Sequence, residues 1–373
     1  MGLHKMPTQV VLPLVLLLFL ASTQARAAPG PKPAHLIDLK REFCSEESQQ
    51  YNVPLTSVDF ISENEVLVYT VCRIDRVALS RRDRFQVTDP YHVKAVIVNL
   101  LTSTVERRFD WPTHGRWSGL CVTHAGDLLL HRDNLLELLS SDGRVLKHVE
   151  IEKTGPDDST FVWVSHTDDI IAVSQGPISP GRTAGTNAVI LNSRNLRMLH
   201  QWRDNADVWS LAASTRAAVR SALSNKLLVM RALPAGRWKT IRTVTTPSIE
   251  NPVFINDVEF AAPVHDAVLL YNISSQREET LPCRSPLRVV ISRDATTLGA
   301  LCVKFADHGP DAGRPKITGA ATDLYQLPSK HQVTSIPFRP LPSFGFDVGI
   351  SPDGSKLAIV DHLSVSLFEI ARE

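Results

Sequence analysis

The chain has 373 residues, 43% of them hydrophobic, with 40 basic against 39 acidic side chains and a formal net charge of +1. So even a balance gives no global reason to expect nucleic acid or an acidic membrane as a partner. A chain of this length can bury about 75% of its unfolded surface, so a large core is available without disulfide staples.

Residues 1–27 read as an export signal. Lys5 supplies a short n-region, residues 10–21 an apolar run broken only by Pro13, and Ala25-Arg26-Ala27 the small-x-small pattern of a cleavage site, with the cut expected after Ala27. The run is shorter than the roughly 20 apolar residues a spanning helix needs, so no membrane span is expected. No cysteine stands near the cut to carry a lipid. Residues 28–34, rich in Pro, read as a flexible leader, and residues 35–373 as a single domain. The expected location is secreted or periplasmic.

The next signal is a lone strand, residues 35–39. Seven hairpins follow, at residues 58–69, 120–130, 162–173, 211–223, 252–263, 289–301 and 348–360. In the clear copies an apolar strand meets a short polar turn and a second apolar run, with Asp, Asn and Gly supplying the backbone freedom of the turn. The fourth and fifth copies are the poorest, and Thr215-Arg216-Ala217-Ala218 alone could pass for helix. A second strand pair trails several hairpins: residues 135–139 with 145–149, 188–191 with 196–202, and 267–271 with 277–281. Each unit is then a four-stranded meander, the blade of a propeller, repeated at intervals of roughly 40 to 60 residues. The last hairpin is followed by one strand only, residues 364–370. Pairing it with residues 35–39 would complete a seventh blade and cover the edges a linear array exposes. The expectation is an all-β, seven-bladed propeller of four-stranded blades, closed by its N-terminal strand and monomeric.

The clearest copy carries Ser351-Pro352-Asp353-Gly354 at its turn. In this the chain resembles the WD-repeat-like, SPDG-bearing propellers common among bacterial exported proteins, over nearly all of the mature chain. The Gly-His and Trp-Asp dipeptides of strict WD repeats are absent. The resemblance implies the fold and leaves the activity open, because unrelated activities share it.

Five cysteines are present, none in a Cys-x-x-Cys pair, so zinc and thioredoxin-type signals are missing. Cys121 and Cys302 lie in apolar strand contexts and read as small buried thiols. A Cys44–Cys72 bridge is compatible with export.

Three blades carry long insertions, at residues 73–94, 175–187 and 305–322, each between the second and third strands. That connection shares a face with the links between blades, so the inserted material gathers on one side of the disk. Binding residues collect on loops held by a rigid scaffold. The first insertion offers Arg76, Arg82 and Arg84 among other cations, offset by Asp75, Asp83 and Asp89; it reads as a grip on a carboxylate, phosphate or acidic partner, or as a solvated loop with weak local ion pairs. The second offers Arg182, and the third His308 and Arg314. Their spacing matches no metal loop, so no metal and no cofactor is expected. Trp111, His114 and Trp117, in the link after the first blade, could stack a ring and bond its polar edge, or plug the gap between blades. Trp163, Trp202 and Trp209 read as core.

No Gly-x-Ser-x-Gly elbow, His-Glu-x-x-His helix or phosphate loop occurs. His114, His131, His166 and His265 are scattered. Asn272-Ile273-Ser274 matches a glycosylation acceptor, relevant only to a eukaryotic secretory host. Asp157, Asp207, Asp257 and Asp347 stand before or in innermost strands, where they read as a channel-mouth cluster or as caps on neighbouring backbone. Two functions follow. One is an exported, non-enzymatic platform that binds a protein or cell-envelope ligand through its loop face. The other is a propeller enzyme, lactonase- or lyase-like, with its site at the channel mouth. A third arrangement, a subunit of a larger periplasmic assembly, would show as an exposed apolar patch.

Overall fold

The structure, a computed structural model, describes residues 32–43, 56–73, 91–114, 118–152, 158–177, 186–204, 208–222, 226–245, 252–306, 317–339, 341, 346–361 and 363–371. The chain enters through β1 (His35–Asp38) and then builds six four-stranded meanders and a seventh hairpin unit. Blade 1 holds β2 (Ser57–Ser62), β3 (Glu65–Arg73), β4 (Tyr91–Asn99) and β5 (Thr104–Thr113). Blade 2 holds β6 (Gly119–Val122), β7 (Leu128–Arg132), β8 (Leu135–Leu139) and β9 (Val145–Glu150). Blade 3 holds β10 (Asp158–Val164), β11 (Ile170–Pro177), β12 (Thr186–Asn192) and β13 (Met198–Asp204). Blade 4 holds β14 (Val208–Ala213), β15 (Ala217–Ala222), β16 (Lys226–Ala232) and β17 (Trp238–Thr245). Blade 5 holds β18 (Val253–Asn256), β19 (Glu259–Val264), β20 (Ala267–Asn272) and β21 (Arg277–Pro282). Blade 6 holds β22 (Pro286–Ile291), β23 (Thr297–Phe305), β24 (Ile317–Gln326) and β25 (His331–Pro337). Blade 7 holds β26 (Asp347–Ile350), β27 (Lys356–Asp361), β28 (Ser364–Glu369) and β1, in spatial order β26, β27, β28, β1.

The seven-bladed expectation is met, clasp included. β1 pairs antiparallel with β28, His35 opposite Leu367 and Asp38 opposite Ser364. The ladder runs on through Ala34 N–H to Leu367 O at 2.7 Å and Leu39 N–H to Leu363 O at 2.8 Å. The ambiguous alanine-rich segment is strand: β15 pairs with β14 on one side and β16 on the other.

The core is a ring of seams rather than one centre. Each cluster of buried apolar residues joins two neighbouring blades. Ile37, Leu39, Val66, Val68 and Val360 fill the seam between blades 7 and 1, while Leu67, Ile97, Leu128 and Leu130 fill that between blades 1 and 2. Alternate residues of one strand thus serve opposite seams. A middle strand is buried on both faces, so it reads as a continuous apolar run such as Leu128-Leu129-Leu130. The outermost strands pack on one side only; β5 alternates exposed and half-buried residues along almost its whole length.

Cys302 departs from its expectation. It is not a thiol but is bonded to Cys283, with Cα atoms 5.6 Å apart. Both side chains lie in the seam between blades 5 and 6, so stacking the blades brings together two cysteines that the strand pattern alone leaves apart. Cys72 is also disulfide-bonded; Cys44, its expected partner, lies outside the described residues. Cys121 is the free thiol among the described residues, half-buried rather than buried, because it faces the central channel. No helix among the described residues is long and apolar enough to cross a membrane.

Candidate functional site

Innermost strands start at the face where blades are linked and end at the face of their hairpin turns. All three insertions leave from the linking face: residues 74–90 join β3 to β4, 178–185 join β11 to β12, and 307–316 join β23 to β24. Arg76, Arg82, Arg84, Trp117, Arg182, His308 and Arg314 lie outside the described residues, as do Asp157 and Asp207. Trp111 lies near the end of β5 where it approaches the linking face, its ring stacked on Phe109 at 5.1 Å and packed on the seam between blades 1 and 2. His114 opens the link itself, exposed, with Nδ1 3.4 Å from Asp133 of the β7–β8 turn. Trp163 and Trp202 are half-buried against the blade 3–4 seam; the side chain of Trp209 is not described.

The two described aspartates of the expected mouth cluster do different things. Asp257 follows its innermost strand and lies in the β18–β19 turn, on the opposite face, where it accepts from Thr215 Oγ1 at 2.8 Å. Asp347 opens β26 and is buried. Its two oxygens accept from the Arg288 guanidinium at 2.5 Å, the Val348 N–H at 2.8 Å, the Val58 N–H at 3.2 Å and the Ser57 hydroxyl. Four donors satisfy a carboxylate. Burial pushes the Asp347 pKa up, against the opposing pull of Arg288, Ser57 and the two N–H groups.

Arg288, the ion-pair partner of Asp347, lines a cavity of about 390 Å³ in the central channel. The third residues of three innermost strands, Asp59 of β2, Cys121 of β6 and Arg288 of β22, point into it, joined by Tyr69 and His166. Asp59 is held by the Phe60 N–H at 2.8 Å and the Val122 N–H at 3.4 Å. His166 Nε2 lies 3.9 Å from Asp59, outside hydrogen-bond reach, and burial lowers its pKa, keeping it neutral near pH 7. Burial likewise pushes the Cys121 thiol up to about 12, helped by the Asp59 charge, so it is in the wrong state for attack. Tyr69 is raised by burial as well. Arg288 differs. Deep burial works against its charge, but Asp347 foremost, with Tyr69 and Asp59, holds its pKa above the usual value, and its side chain keeps 45% of its surface open to the channel. The cavity lining also includes the apolar side chains of Val162, Val164, Val253 and Leu287.

Toward the hairpin-turn face, side chains bridge across the ring. Arg293 of blade 6 skips blade 7 and donates to the Phe60 and Ile61 carbonyls of blade 1, at 2.5 Å and 3.0 Å. Thr167 of blade 3 skips blade 4 and donates to Phe254 O of blade 5 at 3.1 Å. The strand pattern places Asp347 at the mouth but not Arg288, Asp59, Cys121 or Tyr69. The signal that could have found two of these is a charged residue at the third position of an otherwise apolar innermost strand.

No protein-family model matches the sequence, and no curated protein matches it. Solved structures do match the fold. Chaetomium thermophilum Raptor superposes with a TM-score of 0.59 at 10% identity, over 92% of this chain and 29% of that one. The chain thus spans under a third of the Raptor chain it matches. The Neurospora crassa Pan2 WD40 domain superposes with a TM-score of 0.55 at 9% identity, over 92% and 96% of the two chains. A chain of the Mitotic Checkpoint Complex superposes with a TM-score of 0.51 at 12% identity, over 100% of both. At such identities the likeness concerns the fold: this is a seven-bladed β-propeller with WD40 structural neighbours.

Proposed function

We propose that this protein is an exported, non-enzymatic propeller that holds a protein or cell-envelope ligand on its linking face. The observation that carries the reading is the shared origin of the three long insertions, all between second and third strands and so all on one face. Long loops in a compact domain are characteristically functional or disordered, and here three of them leave the strands from the same face. The WD40 neighbours agree with a protein-interaction scaffold, one of them being a chain of a multi-protein complex. Export rests on the signal-like residues 1–27 and is supported by the Cys283–Cys302 bridge, since disulfides persist in oxidising compartments.

The test has two parts. Mass spectrometry of the protein recovered from its native host should give an N-terminus at Ala28; a retained Met1 would overturn export. Charge reversal of Arg76, Arg82 and Arg84 to Glu should abolish co-purification of an envelope component, whereas reversal of Arg277, on the opposite face beside the β20–β21 turn, should leave it intact. Equal recovery with both variants would reject the loop face as the binding surface.

A further inference from the structure

The channel itself has the makings of a second site, independent of the loop face. We propose that it binds a small monocarboxylate with an apolar body, the carboxylate on the free edge of Arg288 and the body against Val162, Val164, Val253 and Leu287.

The argument is one of hydrogen-bond accounting. The two carboxylates nearest Arg288 are already satisfied: Asp347, behind it, by four donors, and Asp59, which lines the cavity, by two backbone N–H groups. Arg288 is not. It donates to Asp347 alone, and its remaining N–H groups have no acceptor among the described residues. The Asp347 anchor fixes one edge of the guanidinium and leaves the fork facing open space. A planar, two-oxygen acceptor is the group that matches such a fork. The thiol of Cys121 and the phenol of Tyr69 stay neutral and are further donors beside it.

The rest of the cavity selects the body. Val162, Val164, Val253 and Leu287 give its lining an aliphatic share from which an apolar body displaces water favourably. The volume of about 390 Å³ lies in the range of small-ligand sites, roughly 300–1,000 Å³. The charge balance selects a monoanion. Asp59 also lines the cavity, so a doubly charged phosphate would meet one open guanidinium and one carboxylate.

The experiment is calorimetric titration of the folded full-length chain with octanoate and benzoate, each paired with its neutral amide. The acids should bind at least tenfold more tightly than the amides. Arg288→Gln should erase that difference, and Val162→Phe, which removes no hydrogen bond, should abolish binding of both. Bound octanoate should also slow modification of Cys121 by methyl methanethiosulfonate at least fivefold, a readout that needs no substitution. Equal affinity for acid and amide, or unaltered Cys121 labelling at saturation, overturns the proposal. Neither result touches the loop-face reading, whose variants lie outside the channel.

Discussion

At the residue scale, the most sensitive contact is a pair of carboxylates where the ring closes. Asp353, in the β26–β27 turn, donates its N–H to Glu63 of the β2–β3 turn at 2.9 Å. Burial, and then the Asp353 carboxylate beside it, push the Glu63 pKa from 4.5 up to about 7. Asp353 is driven the other way: burial opposes its charge, but Glu63, the Ser355 N–H and the Ser351 and Ser355 hydroxyls outweigh it. The pair therefore favours a protonated Glu63 beside an ionised Asp353. Because the folded state raises the Glu63 pKa, this contact contributes fully below about pH 4.5, and its contribution is lost as pH rises through about 7. The melting temperature should therefore fall between about pH 5 and about pH 8, and Glu63→Gln, which keeps a donor toward Asp353, should flatten that slope. A slope unchanged in the variant would assign the dependence to another group. The turn itself demands its sequence. Gly354 has φ +74°, and a Cβ there would lie 2.3 Å from Thr297 Oγ1 of blade 6. The Ser-Pro-Asp-Gly run is legible because three needs coincide in it: a left-handed residue, a close approach between blades, and a carboxylate for the seam.

Elements show why some blades announce themselves and others do not. The seam between blades 3 and 4 is built largely from small residues, Ala172, Ala188, Ala213 and Ala218 among them. Small side chains leave β14 and β15 with a sequence that resembles helix more than strand, and only the regular spacing identifies them. The ambiguity of residues 211–223 is thus the imprint of a thin seam. Three tryptophans, Trp163, Trp202 and Trp238, pack at the margin of that seam, and Trp202 and Trp238 meet edge to face at 5.4 Å. Blade 7 shows the converse. Its fourth strand comes from some 300 residues away, yet Leu39 is fully buried in the seam with blade 1. Leu39→Ala should cost about 2–5 kcal/mol in urea unfolding, the range for a buried leucine whose site cannot collapse. A loss below about 0.5 kcal/mol, the usual size of a surface change, would mean the clasp is dispensable.

For the whole molecule, the ring and its clasp are legible in the sequence, but the side chains that closure brings together are not. Repeats are local, so blade count, strand order and the positions of the insertions can be read from short windows. The channel site cannot. Asp59 and Tyr69 come from blade 1, Cys121 from blade 2, Arg288 from blade 6 and Asp347 from blade 7. No window holds two of these blades except the neighbours 1 with 2 and 6 with 7, and only closure sets 57–69 against 288–347. The same reasoning explains the Cys283–Cys302 bridge, whose partners become opposite only when blade 6 stacks on blade 5.

The clasp has a mechanical consequence. β1 and β28 are antiparallel, so the N-terminal end of one lies beside the C-terminal end of the other, His35 opposite Leu367. Tension between the segment before Ala34 and the segment after Ile370 would act on that end of the ladder alone. Hydrogen bonds would open one after another, starting at Ala34, instead of sharing the load as strands do when sheared along their length. Pulled from these two points in an optical trap, the protein should release β1 at low force before any blade unravels, and pulled from two interior blades it should hold to a much higher force. The strand that completes the ring at rest is the first to yield under load.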